Sequence, residues 1–208
     1  MATKTTRSQK AFIDAFLNLF REKDLEDISL KEVIDLSGFS RGAFYRYFYD
    51  KYDLLECIAK LEEEFILEHM THFVGSYEES AVDEQVSVIL FRHILENRSF
   101  YDALLENRIP SYSDIRMIDE ISEKSSGIVD VVFPEMDEDA DTVFFRYICV
   151  AEIFDYIRYW KIRDYCFSAE YMAHQTCVFS RGRNYRSIAL KEGRNDRTIS
   201  QIFTKQGY

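Results

Sequence analysis

Apolar positions recur with helical spacing along almost the whole chain. Phe12, Ile13, Phe16, Leu17 and Phe20 fall on one face of a helix running from about Arg7 to Glu22, with Asp14, Asn18 and Arg21 turned away from it. Ser29, followed three residues later by Glu32, reads as a capping box that opens a short helix to about Ser37. Gly38-Phe39 breaks that helix. Ser40 caps a second short one, Arg41–Phe48, and Asp50 caps a longer helix along which Leu54, Ile58, Leu61 and Phe65 share a face. Three short helices and a long fourth are therefore expected over residues 7–73. Further on, Val86, Ile89, Leu90, His93 and Ile94 mark a helix near 82–97. A shorter one near 99–107 is stopped by Pro110, and a weaker pattern from Ser113 to Ser126 ends at Gly127. Residues 141–163 form the longest apolar-rich stretch, with Val143, Val150, Ala151, Ile157 and Trp160 spread around most of the circumference; such a helix is expected to be covered on two sides. A last helix is expected near 168–180.

Composition agrees with a helical reading. The 208 residues include only 7 Gly and 2 Pro, with 47% apolar and 30% charged residues, which excludes collagen-like, Pro-rich and globally disordered chains. The first ten residues lead into no apolar segment of the signal-peptide kind, and no run approaches a membrane span, so no membrane partner is expected. Four cysteines (57, 149, 166 and 177) without C-x-x-C spacing read as reduced thiols in a cytoplasmic protein. The net charge of −11 is unevenly distributed: residues 1–53 carry nine basic and nine acidic side chains, 54–180 carry ten and twenty-six, and 181–208 carry seven and two. A polyanion would be repelled by the middle of the chain and tolerated only at its ends.

The segment Leu30–Leu55 holds the most specific chemistry. Two short helices joined at Gly38 form a helix-turn-helix, a unit whose second helix enters a DNA major groove by its N-terminal half. In that second helix Phe44 and Phe48 would anchor to the core beside Phe16 and Leu36. Arg41, Gly42, Ala43, Tyr45, Arg46 and Tyr47 are then left facing outward. Arg reads guanine bidentately and Tyr donates to phosphate or packs on a thymine methyl, whereas a buried helix would not carry two Arg and two Tyr outward. Lys51, at the start of the next helix, is placed to meet a phosphate.

With these residues in view, the segment 7–55 resembles the DNA-binding domain of TetR-type transcriptional regulators. The resemblance rests on the apolar helix Ala11–Phe20, the Ser29–Ser37 helix, Gly38, the block S-R-G-x-F-Y-R-Y-F at 40–48, and Asp50-Lys51-x-x-Leu54-Leu55. It implies an all-α fold with an N-terminal three-helix helix-turn-helix domain at 1–53, a larger helical regulatory and dimerisation domain at 54–183, and a basic extension at 184–208. It also implies that Ser40, Arg41, Gly42, Ala43, Tyr45, Arg46, Tyr47 and Lys51 lie at the DNA face, with Ser29, Leu30 and Lys31 approaching the neighbouring backbone. Position 43 departs from the frequent family choice of Thr. Beyond residue 55 the similarity is one of outline. It implies a homodimer through the last two long helices, with Phe145, Ile148, Tyr156, Tyr171, Gln175 and Val178 as interface candidates. It implies also a pocket for a small-molecule effector lined by Phe100, Tyr101, Phe144, Tyr147, Phe154 and Tyr159. The function expected is that of a sequence-specific repressor released from a palindromic site on double-stranded DNA. A co-regulator answering to a protein partner is the alternative, and an enzyme on a helical scaffold a remote third, since no G-x-S-x-G, P-loop or H-E-x-x-H occurs.

Other signals read more plainly. Asp137-Glu-Asp139-Ala-Asp141 imitates a calcium loop, but Thr142 and Ile148 stand where Gly and Glu are required, leaving acids that lead into a helix. His69 and His72, near Glu68, lack a third ligand. His93 reads as a core histidine, and Glu62-Glu63-Glu64 as a solvated surface. No metal or cofactor is expected.

Overall fold

Thr6 opens the first helix. Its hydroxyl accepts from the Gln9 amide at 3.3 Å while the Gln9 side chain accepts from the Thr6 amide at 3.0 Å, and α1 (Arg7–Phe20) follows. The computed structural model describes residues 5–74, 80–110, 112–126 and 141–179, side chains at 71–74 and 80–83 excepted. After one tight turn of 3₁₀ helix (Leu25–Asp27) comes α2 (Leu30–Ser37), opened by the expected capping box between Ser29 and Glu32. It ends at Gly38, whose φ of +72° is the left-handed conformation that favours glycine.

The next helix is shorter than its pattern suggests. Only α3 (Arg41–Phe44) is helical, and residues 45–48 continue as tight turns in which the Tyr47 and Phe48 amides both donate to the Phe44 carbonyl. The chain must swing here into α4 (Lys51–Val74), which Asp50 caps by accepting from the Tyr52 and Asp53 amides at 2.8 and 2.9 Å. Aromatic packing fixes this arrangement. The Phe12 ring meets Phe44 edge-on at 5.2 Å and Phe48 at 6.3 Å, and all three are buried. Leu36 does not join them. It is 54% exposed, because α2 turns Val33 into the core and half-buries Leu30 and Ile34, leaving Leu36 on the opposite side.

The larger helical part comprises α5 (Ser80–Glu96), α6 (Arg98–Leu105), α7 (Asp114–Lys124), α8 (Thr142–Ile162) and α9 (169–179). Helix α7 packs between α4 and α8. Asp141 caps α8 by accepting from the Val143 and Phe144 amides at 3.0 Å, in line with acids leading into a helix. Asp137, Asp139 and the 184–208 extension lie outside the described residues. Within the single chain helix α8 buries Val150, Ile153, Phe154, Ile157 and Trp160 and leaves Val143, Phe144 and Ile148 exposed, so one of the two sides expected to be covered is covered by this chain's own helices.

The acidic run on α4 also departs from its reading. Glu62 and Glu63 are buried, because α4 is covered by neighbouring helices rather than facing water. The Glu62 carboxylate accepts from the Tyr101 hydroxyl at 2.7 Å and pairs with His93 Nε2 at 2.6 Å; Glu63 pairs with Lys124. Burial, and then the Glu62 charge, push the Tyr101 hydroxyl well above its ordinary range. His93 is thus a half-buried histidine with a partner, its ring stacked 3.7 Å from Phe65. His69 stacks on Phe65 at 4.1 Å, its Nδ1 2.8 Å from the Phe65 carbonyl oxygen; the side chain of His72 lies outside the described residues.

Candidate nucleic-acid interface

A surface that reads DNA needs donors held rigidly, and the aromatic anchors supply the rigidity. With Phe44 and Phe48 locked against Phe12, positions before and between them point outward: Ser40, Arg41, Gly42, Tyr45 and Arg46 are exposed. Ser40 caps α3 by accepting from the Ala43 amide at 3.2 Å. Arg41 and Tyr45, one turn apart, organise each other. The guanidinium donates to the Tyr45 hydroxyl at 3.1 Å and lies 5.5 Å from its ring centre. Arg46 lies 6.0 Å from the Tyr47 ring. The half-buried Tyr47 receives a hydrogen bond from Ser8 at 3.1 Å, tying the turn to the start of α1. That bond, and then one involving Thr6, lower its hydroxyl pKa.

Gly42 is informative by what surrounds it. A Cβ built there meets nothing within 4 Å, and its backbone is not in the left-handed region. Neither packing nor conformation demands glycine at this position, which leaves room for an approaching backbone.

Two expected contacts are placed differently. Ala43 is buried at 5% exposure, because it follows Phe44 onto the α1-facing side of a helix barely one turn long. Lys51 turns inward: its Nζ donates to the carbonyl oxygens of Leu25, Glu26 and Ile28 at 2.8, 3.2 and 3.0 Å. It clamps the 25–28 turn rather than presenting a free ammonium. Ser29 and Lys31 are exposed and Leu30 half-buried, with the Ser29 hydroxyl engaged in its cap. Glu32 in that cap is held down to about 2, first by the Lys23 hydrogen bond and then by the Ser29 amide. Tyr49, 84% exposed, joins the outward surface unanticipated. An aromatic beside the Phe48 anchor resembles core in sequence, and only the capped turn at Asp50 swings it out.

The pocket candidates divide. Phe100, Tyr101 and Phe154 are fully buried, and the Tyr101 hydroxyl is already engaged by Glu62; Tyr147 is half-buried. Phe144, at 65% exposure, and Tyr159 lie at the surface rather than among the described interior residues: a helix apolar around most of its circumference does not reveal which side faces in. Of the interface candidates, Ile148, Tyr171, Gln175 and Val178 are exposed, while Phe145 and Tyr156 are half-buried. Among the described residues no group of three or more His, Cys, Asp or Glu is arranged to hold a metal ion, and no helix is long and apolar enough to cross a membrane.

Residues 12–58 match the sequence profile of the family described as bacterial regulatory proteins, tetR family. Over 83 residues the chain is 35% identical to the HTH-type transcriptional regulator AcrR of Shigella flexneri, a match spanning 36% of this chain and only 39% of that protein. In fold it is similar to a tetR-family transcriptional regulator from Streptomyces coelicolor, with a TM-score of 0.62 and 15% identity over 91% of this chain and 86% of the other. The regulator FadR of Bacillus subtilis, solved in complex with stearoyl-CoA, gives a TM-score of 0.60 and 17% identity over 82% of this chain and 96% of the other.

Proposed function

We propose that this chain, a TetR-family transcriptional regulator by its helix-turn-helix and all-α fold, acts in the cytoplasm as a homodimeric repressor that a small-molecule effector releases from a palindromic operator. One observation carries the reading: a turn pinned by Phe12, Phe44 and Phe48 that presents Arg41, Tyr45 and Arg46 to solvent around a sterically unoccupied Gly42. Arg46 and the Arg41–Tyr45 pair read base edges and phosphates, and Gly42 admits the DNA backbone closely. Lys51 acts indirectly, by fixing the 25–28 turn beneath α2.

A dimer follows from the size of the reading surface, which is too small to define a unique site alone. The exposed apolar residues Ile148, Tyr171 and Val178 are the surface on which it forms. The stearoyl-CoA held by the Bacillus subtilis FadR supports an organic effector in a scaffold of this kind. An effector that prefers one spacing of the two reading turns shifts the dimer away from DNA by its differential affinity for the two states.

The test is selection of duplexes from a random pool at fixed salt, with the Tyr45→Ala/Arg46→Ala double variant alongside. An inverted repeat enriched by the wild type and lost in the variant is the expected result. Equal enrichment by both proteins would sink the assignment of the reading surface.

A further inference from the structure

Between the end of α1 and the α5–α6 junction lies a cleft of about 680 Å³, lined by residues of both parts of the chain, including Arg21, Asp24, Glu96, Asp102, Arg108 and Tyr165. Two side chains cross it. Arg21 donates to the Glu96 carbonyl oxygen at 2.6 Å, and Arg108 donates through Nη1 to the Asp24 carboxylate at 3.0 Å. We propose that Arg108 is a positioning residue that fixes how the reading head sits against the regulatory helices. The proposal rests on the DNA-binding reading above.

The way Arg108 is held favours that role. Helix α6 ends with Asn107 in the left-handed region at φ 54°. The Arg108 amide donates back to the Ala103 carbonyl at 2.8 Å, and the Asn107 amide to Leu104 at 3.2 Å. This is a Schellman closure, and it fixes the direction in which residue 108 leaves the helix. The guanidinium then forks. Nε donates to Glu106 at 2.6 Å, and Nη1 reaches Asp24. Glu106 is gripped from its other side by Lys161 of α8 at 2.7 Å, and Lys161 also meets Asp102 at 3.0 Å. Hydrogen bonds from Lys161, then Arg108, hold the Glu106 carboxyl below its ordinary range.

Asp24 is the residue from which the 3₁₀ turn Leu25–Asp27 starts, and the carbonyls of that turn are the ones Lys51 clamps. Arg108 and Lys51 therefore grip one short loop from different elements, Arg108 from the end of α6 in the regulatory helices and Lys51 from the start of α4, next to the reading turn. Asp24 is 72% exposed, so the Arg108 contact contributes little to fold stability. Its loss leaves a folded protein whose two parts are less well aligned.

Two measurements test this on the full chain. In the free protein, hydrogen exchange at the amides of residues 25–28 is expected to quicken in Arg108→Ala while the cores of α4 and α8 stay protected. The charge swap Asp24→Arg/Arg108→Asp is expected to restore slow exchange. Against duplexes carrying the selected half-sites at spacers varied one base pair at a time, wild type is expected to favour one spacer about tenfold. In Arg108→Ala that preference falls to about twofold, and the swap recovers it. An unchanged spacer ranking in Arg108→Ala overturns the proposal, as does uniform weakening at every spacer or a swap no better than its single variants. If wild type binds no duplex at any spacer, the DNA-binding reading fails. The exchange measurement then decides alone whether Arg108 holds the loop, and unaltered exchange overturns that as well.

Discussion

Gly42 separates what the fold requires from what the task requires. Because a methyl group there would touch nothing within 4 Å and the backbone is not left-handed, Gly42→Ala removes unfolded-state entropy without strain. Its expected effect is a midpoint of thermal unfolding equal to or slightly above wild type, worth about 0.5–1 kcal/mol. Duplex binding should nevertheless fall at least about tenfold, because the methyl occupies the approach of the DNA backbone. Calorimetry and fluorescence anisotropy on one preparation check both halves, and a variant binding like wild type would remove Gly42 from the interface. The outward Arg41, Tyr45 and Arg46 were legible in the sequence because two aromatics four apart define an inner side and, by elimination, an outer one. Ala43 and Lys51 were not. A small side chain fits either side of a helix, and a lysine ammonium is satisfied equally by a phosphate or by three carbonyl oxygens; only the path of the 25–28 turn decides.

Caps make the elements readable. Ser29, Ser40 and Asp50 each accept the backbone amides their positions predict, and Ser113 and Asp141 do the same for their helices, since capping is settled within four residues of chain. Burial along α4 is not settled locally, and so Glu62 and Glu63, which resemble solvated positions, lie in the interior. Glu63 is fully buried, its carboxylate paired with Lys124 and set against that of Glu120. Burial raises its pKa despite the lowering effect of Lys124. A carboxyl whose folded pKa lies above its unfolded value costs stability progressively as pH rises past the unfolded value, fully above the folded one, and that cost disappears as pH falls back to the unfolded value. Glu63→Gln is therefore expected to unfold at a higher temperature than wild type at pH 8. The gap should shrink as pH is lowered toward 5, and a gap that widens on acidification would contradict the assignment.

For the whole molecule, the helical outline and the reading head were legible, while the arrangement of the regulatory half was readable only in outline. Its long helix α8 is apolar around most of its circumference, so periodicity does not say which residues face a core and which a second subunit. The exposed side carries Phe144 and Ile148, and Val178 is exposed on α9. An Ile148→Asp/Val178→Asp variant adds charges at two apolar side chains that are about half exposed in the single chain. Sedimentation is expected to show wild type as two chains and the variant as one, with unchanged helical circular dichroism. A variant that still sediments as a dimer would move the interface elsewhere. Helix α4 bears on the geometry of such a pair. Its 24 residues make a rod about 36 Å long, tied at one end to the reading turn by Asp53, which accepts from the Tyr49 amide, and to the 25–28 turn by Lys51, and packed at mid-length against α5 and α7. It is a lever. A tilt of about 5° about that packed middle would carry the reading turn through about 1.5 Å, and the two turns of such a pair by about 3 Å relative to each other, close to the roughly 3.4 Å rise of one base step.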